Sequence, residues 1–276
     1  MSIFRHTGTP TGARIEITSG LAAFQWAIRK IGLFLLSQES LIRMARQGSN
    51  LFLSSLSQTN YDSLVSRSSE VDLPLNTVLY EEEVTPRFAF FLTTGLASMV
   101  TPMSSGESVE VGFIGHEGVV GGLHLLGPAS LSTRCMMQLP GTALRMAYSD
   151  LQNAFDSSPE IHSRMLEFVQ QQSIIVGQIA GCNRLHGAEQ RLIRWLLSAQ
   201  DRTRSSDLNF THQYLAEMIA SQRTTVTAIA RDLQEQGFIS YSRGIVHIID
   251  REGLQKAACD CYGIAKRLFD RLYREG

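Results

Sequence analysis

Between Phe210 and Asp250 the apolar residues change period in a way that few folds can satisfy. Thr211 stands where it can cap a helix whose inner face is Leu215, Met218 and Ile219. Ala220-Ser221-Gln222 then makes a short break, and the small side chains of Ala216 and Ala220 let two helices cross closely. A second helix over Arg223 to Gln236 turns Val226, Ile229, Ala230 and Leu233 inward. After Gly237 the period drops to two, and two short β-prone runs flank the turn Ser242-Arg243-Gly244. A helix pair alone is a weak signal. Followed by a hairpin with a basic tip, it predicts a winged helix-turn-helix.

The outward residues of the second helix carry the chemistry. Gln222, Arg223, Thr224 and Thr227 are expected to read bases. Arginine pairs with guanine O6 and N7, glutamine with adenine, and threonine touches a thymine methyl. Thr211, Thr225, Arg231 and the wing-tip Arg243 are expected to hold phosphates. The charge distribution agrees in sign. Residues 1–183 hold 11 Lys+Arg against 15 Asp+Glu, whereas residues 184–276 hold 14 against 11. A surplus of three is, however, common on domains that bind no polyanion.

Upstream, the texture divides the chain. At 43% hydrophobic and 18% charged it has the composition to bury a core. Residues 1–49 read as an N-terminal extension, a loose tail followed by helical spacing over Leu21 to Arg46, and Asn50 to Val65 reads as a further short helix. From Val71 to Met146 short β-prone runs alternate with turn residues, which predicts a sandwich or roll within a domain over 50–158. Residues 159–183 then read as one long helix. Its narrow apolar stripe, with Met165, Val169, Val176 and Ile179, is expected to form a dimer seam rather than to pack on its own β-domain. Residues 184–276 complete the winged helix, ending in a helix from Arg251 to Tyr273.

Residues Asn50 to about Leu254, three quarters of the chain, resemble the Crp/Fnr family of bacterial transcription regulators. The resemblance rests on Val71-Asp72-Leu73-Pro74 through Leu79-Tyr80, the glycine turns of the roll, the long helix, and Leu215-Ala216 to Ile249-Asp250. A sub-branch is closer still, judged by Ser108-Val109-Glu110-Val111, Gly115-His116-Glu117-Gly118, Cys182-Asn183-Arg184-Leu185-His186 and Glu189-Gln190-Arg191. What this implies is an α+β fold: an N-terminal β-roll like a cyclic-nucleotide-binding jelly roll, a long dimerisation helix, and a C-terminal winged helix-turn-helix. It further implies a homodimer on a palindromic operator, controlled by a small-molecule effector bound in the roll, with RNA polymerase a partner if the protein activates. Three departures matter. The recognition helix opens Arg223-Thr224-Thr225-Val226 where the family often has a glutamate at the second position, so a different operator is expected. The turn glycine is Ala220, a small change if the backbone there stays right-handed. Members that bind cyclic nucleotides hold the ribose with a Gly-Glu-Leu stretch, but this chain reads Gly118-Val119-Val120-Gly121-Gly122-Leu123. Arg134 is the only candidate for the phosphate, and the effector stays unknown.

Other classes find little support. Cys135, Cys182, Cys259 and Cys261 form no CxxC pair, which fits reduced thiols and a cytoplasmic location. Cys182 and His186 are four apart, a metal-ligand spacing, but only two ligands are visible where a closed zinc site needs four, so an interface or core pair is expected. Cys259 and Cys261, two apart on the C-terminal helix, point apart and are expected as buried thiols rather than a redox sensor. No metal site is therefore expected. His116-Glu117 lacks a third group for catalysis, and no enzyme is expected. The stretch Leu21 to Leu36, interrupted by Arg29 and Lys30, is too short and charged for a membrane span. A rival of another class is a ligand-binding signalling module whose winged helix docks protein rather than DNA.

Overall fold

The structure is a computed structural model and describes residues 50–104, 108–128 and 131–274. The expectations for residues 1–49 lie outside the described residues. No helix among the described residues is long and apolar enough to cross a membrane.

The expected single helix after Asn50 is two: α1 (Leu51–Ser54) and α2 (Gln58–Val65). Asn50 caps the first by accepting from the Leu53 amide at 3.1 Å. Its buried amide also donates to the carbonyls of Leu92 and Gly118, at 3.0 and 2.7 Å, which fixes α1 to the roll. The strands that follow are β1 (Ser68–Leu73), β2 (Val78–Tyr80), β3 (Phe88–Leu92), β4 (Leu96–Pro102), β5 (Ser108–Ile114), β6 (Val119–Val120), β7 (Arg134–Leu139) and β8 (Gly141–Ala147). They form two antiparallel four-stranded sheets, ordered β1-β8-β3-β6 and β2-β7-β4-β5. Residues of both sheets, among them Phe91, Leu92, Met137 and Met146, meet in one core. This is the roll that the alternating runs predict.

A short helix α3 (Tyr148–Ser157) leads into the long helix α4 (Pro159–Leu185), two residues longer than its sequence signal. Ser158 caps α4 and proline occupies its first turn, where a missing amide hydrogen costs nothing. Its apolar stripe serves the roll first. Met165 and Val169, expected in a dimer seam, lie at 0% and 6% exposure in the chain's own core with Ile161 and Phe168. A 3.6-residue period marks a buried face but not what buries it. Val176 and Ile179 are half-buried. The solvent face of α4 carries Leu166, Ile174, Gly177, Gly181 and Leu185 instead.

The second lobe contains α5 (Ala188–Thr203), β9 (Asp207–Asn209), α6 (His212–Met218), α7 (Arg223–Glu235), β10 (Ile239–Ser242), β11 (Ile245–Ile248), α8 (Arg251–Ala257) and α9 (Asp260–Arg274). The hairpin gains a third strand, in the order β10-β11-β9. Two expectations need correction here. Ala220 is left-handed, at φ 49°, so the alanine in place of the turn glycine is strained. The helix from Arg251 to Tyr273 is broken at Ala258, whose ψ of 151° is extended. The break buries Cys259, Cys261 and Tyr262 together, which an unbroken helix cannot do for residues two apart.

The lobes meet through a buried polar junction. Arg202, at the end of α5, donates from Nε to Glu117 Oε1 at 2.9 Å, with the two side chains 5% and 1% exposed. Its guanidinium also lies 4.8 Å from the centre of the Phe113 ring. The second Glu117 oxygen accepts from the Gly115 amide at 3.0 Å. A Cβ on Gly115 would stand 2.6 Å from the Arg202 carbonyl oxygen, so only glycine permits this approach. Beside it, Trp195 Nε1 donates to Glu110 at 2.7 Å and Ser98 donates to the other Glu110 oxygen at 2.5 Å. Ser98 also lies 3.3 Å from the hydroxyl of Tyr214 in α6, so the roll touches the helix-turn-helix directly. Complete burial pushes the Glu110 carboxyl up to about 7, against the lowering by its hydrogen bonds and by Arg194 and Arg202.

Replacing Glu117 with alanine leaves a buried guanidinium unpaired and should cost about 3–5 kcal/mol in denaturant unfolding. Glu110 binds its proton more tightly folded than unfolded, so its contribution is present below the unfolded value of 4.5 and is lost as pH rises through about 7. Glu110→Gln should flatten that part of the stability–pH curve, measured by thermal unfolding; an unchanged slope would clear Glu110. Ala220→Gly removes strain of about 1–2 kcal/mol against about 0.4–1 kcal/mol of extra chain entropy. A small rise in Tm is expected, since exposed Ala220 loses no packing.

Candidate DNA interface and sensory cavity

The first helix of the pair, α6, is capped as its sequence demands, with Thr211 Oγ1 accepting from the Tyr214 amide at 3.2 Å. Phe210 stacks on Tyr214 with ring centres 5.0 Å apart, and Trp195 packs edge-on against Phe210 at 4.7 Å. This aromatic set carries α6 on α5. The recognition helix α7 buries Val226, Ala230 and Leu233 and leaves Gln222, Arg223, Thr224 and Thr227 exposed at its start. Gln222 is its extended N-cap and makes no side-chain cap, so the first-turn amides face outward.

The structure separates the predicted contact residues by how free they are. Arg223 and Thr224 are exposed beside Gln222. The Thr227 hydroxyl is engaged: it donates to the Arg223 carbonyl at 2.9 Å and lies 3.0 Å from His212 Nδ1. Its methyl and one remaining acceptor site are left to meet a base. Thr225 is half-buried and Thr211 exposed. Arg231 is exposed but within 3.6 Å of Asp232 and 3.7 Å of Glu235, which partly neutralise it. Arg243 sits at the wing tip at φ 51°, followed by Gly244 at φ 83°, the pair of left-handed residues that a tight two-residue hairpin requires. An arginine in the first of these places costs strain that asparagine or glycine would avoid.

The sequence reading passed over His212. Its ring stacks on Tyr241 of β10 at 4.1 Å between centres while Nδ1 faces Thr227 of α7. Burial, and secondly the charge of Arg223, lower its pKa, so the ring is neutral at pH 7. One imidazole thus joins first helix, recognition helix and wing. No spacing in the sequence signals this.

A cavity of about 250 Å³ lies between the roll and α4. Met99, Val111, Ile114, Val119, Phe168 and Val176 give it an apolar wall. Its polar groups include Tyr80, Thr133 and His124, and both His124 ring nitrogens are buried without a partner. Burial lowers the His124 pKa, so the ring is a neutral donor and acceptor. Arg134 is not among the described lining residues; its Nε lies 3.5 Å from Glu81. No lysine, arginine or acid is among those residues, so no charged side chain of the cavity wall meets a phosphate.

Cys182, His186, Cys259 and Cys261 converge, their ligand atoms all within 4.8 Å of one another. The break at Ala258 turns both C-terminal cysteines toward α4, so four ligands meet where the sequence shows two.

Comparison with known proteins bears on these features. Residues 70–158 match the family described as the cyclic nucleotide-binding domain, and residues 190–257 match the Crp-like helix-turn-helix domain. Among solved structures, a putative Crp/Fnr-family transcriptional regulator from Eubacterium rectale is similar at 13% identity and a TM-score of 0.58, covering 73% of this chain and 94% of its own. FixK2 from Bradyrhizobium japonicum is similar at 13% identity and a TM-score of 0.60, covering 70% and 98%. A CRP-family transcriptional regulator from Thermus thermophilus is similar at 20% identity and a TM-score of 0.57, covering 68% and 96%. At such identities these likenesses speak to the fold alone. No curated protein matches in sequence. The two domain matches together take up more than half of the sequence, in the order roll then helix-turn-helix, and the chain belongs to the Crp/Fnr family of transcription regulators.

Proposed function

We propose that the protein is a sequence-specific DNA-binding regulator that acts as a homodimer on an inverted repeat, with the cavity of the roll as its sensor. The observation that carries this reading is the exposed set Gln222, Arg223 and Thr224 at the open start of α7, beside a wing tipped by Arg243. Arg223 is the main base reader, with Gln222 and Thr224 beside it and the Thr227 methyl behind. Thr211, Thr225 and Arg243 hold phosphates, and Arg231 does so less strongly because it shares its charge with Asp232 and Glu235.

The dimer pairs along the solvent face of α4, where Leu166, Ile174, Gly177 and Gly181 recur at helical spacing. A Cβ on Gly177 or Gly181 would meet nothing within 4 Å, so a second helix can approach closely there. Two recognition helices then meet half-sites about 34 Å apart. The effector is uncharged and largely apolar, with one polar group for His124. It acts only if it binds the DNA-competent arrangement more tightly than the other. RNA polymerase is a further partner if the bound protein activates.

Selection of bound sequences from a random DNA pool by the purified full-length chain tests the proposal. Enrichment of an inverted repeat about one helical turn between half-site centres is expected, with affinity falling steeply as salt rises. Arg223→Ala should then cost about 1–3 kcal/mol on the selected site and relax base preference at one position. No enrichment at low salt, with or without cell extract as an effector source, would sink the DNA reading in favour of protein docking.

A further inference from the structure

The four residues at the end of α4 form a cluster that the DNA-binding reading does not use. Cys182 lies in the last turns of α4 and is fully buried, while His186 is the residue that ends that helix. Cys259 sits in the break between α8 and α9, and Cys261 in the first turn of α9. The thiols are free, and the Cys182 and Cys259 sulfurs stand 3.8 Å apart, far outside the roughly 2.05 Å of a disulfide. Cys261 Sγ is 3.4 Å from His186 Nδ1.

These separations are those of ligands around one tetrahedral ion. Zn–S bonds of about 2.3 Å and Zn–N bonds of about 2.0–2.1 Å, at tetrahedral angles, place sulfurs about 3.8 Å apart and sulfur about 3.5 Å from nitrogen. The widest pair, within 4.8 Å, needs only a small inward movement. A cubane iron–sulfur cluster puts each thiolate on a separate iron and would hold the sulfurs much farther apart. Three thiolates and an imidazole in a tetrahedron suit zinc.

The surroundings are also those of a ligand set. The far nitrogen of His186, Nε2, lies 3.8 Å from Asp260 Oδ1, while Nδ1 faces the Cys261 sulfur. Gln178 donates from Nε2 to the Cys261 sulfur at 3.1 Å, an interaction that supports a thiolate. Without an ion, three sulfurs share a buried space whose own cluster contains only themselves.

We propose that Cys182, His186, Cys259 and Cys261 bind one zinc ion as a closed Cys3His site. The ion clamps the end of the long helix to the C-terminal helix α9. It thereby fixes how the winged-helix lobe hangs from the helix that carries the dimer face. All four positions are filled by protein, so the site is structural and keeps no place for water or substrate.

The test is metal analysis of the full-length chain purified under reducing conditions, followed by cobalt titration of the metal-depleted chain. One zinc per chain is expected, with cobalt giving the strong visible bands of a tetrahedral thiolate site and zinc abolishing them. Cys261→Ser should lose the zinc and those bands. His186→Gln replaces a partly exposed side chain and should lower zinc affinity at least tenfold, in competition with a coloured chelator, while the fold is kept. A folded, metal-free protein whose three thiols react with a thiol reagent equally with and without zinc would overturn the site. Iron as the bound metal, or a Cys182–Cys259 disulfide in the reduced preparation, would overturn it equally.

Discussion

A charge taken out of water must be met by another, and in this protein that requirement falls on Arg202 and Glu117. The pair lies between the roll and the helix that carries the DNA-binding lobe, almost fully enclosed. Gly115 is glycine because the chain must press against the Arg202 carbonyl, and His116 turns its Nδ1 to the same oxygen at 2.5 Å. Glu110, Trp195, Ser98 and Tyr214 continue the contact to the first helix of the DNA reader. Separating the lobes exposes a set of polar groups that satisfy one another only when docked. Partial separation is worse than either limit, since a half-broken buried ion pair keeps the desolvation cost without its compensation.

The cavity and the junction share β5 and the turn after it. Val111 and Ile114 line the cavity, while Glu110 and Glu117 face the other lobe. A ligand that pushes on this strand therefore acts one residue away from the groups that hold α5. Plain alternation would put Glu110 and Ile114 on one face; the register shift of β5 against β4 between Met99 and Val100, with Val111 as the extra residue, turns them to opposite sides. The roll needs no separate relay to reach the winged helix.

Much of this was legible in the residues. The helix pair and hairpin were plain because their apolar periods differ and Ser242-Arg243-Gly244 punctuates them. The stretches that carried the family resemblance, around Glu110, Gly115 to Gly118 and Cys182 to His186, turn out to hold the lobe junction and half of the cysteine–histidine cluster. What periodicity could not reveal was which partner covers a face. Met165 and Val169 mark an apolar stripe in either case, and only the fold shows that the roll fills it. The helix break at Ala258 was invisible too, because no glycine or proline marks it. It arises from burial, with Arg251 and Tyr262 both bonded to Asp201 at 2.6 and 2.9 Å and the two cysteines drawn inward beside them. His212 and the handedness of Ala220 are likewise products of packing.

The stacking of His212 on Tyr241 and its contact with Thr227 have a geometric consequence for the DNA. The ring ties recognition helix to wing, so under the proposed DNA reading the offset between a base met by Arg223 and a phosphate met by Arg243 would be the same in every half-site. In the proposed dimer, any tolerance of the operator would then lie in the spacer between half-sites. Each half of such an operator would be read as a fixed imprint, with only the gap between the imprints adjustable.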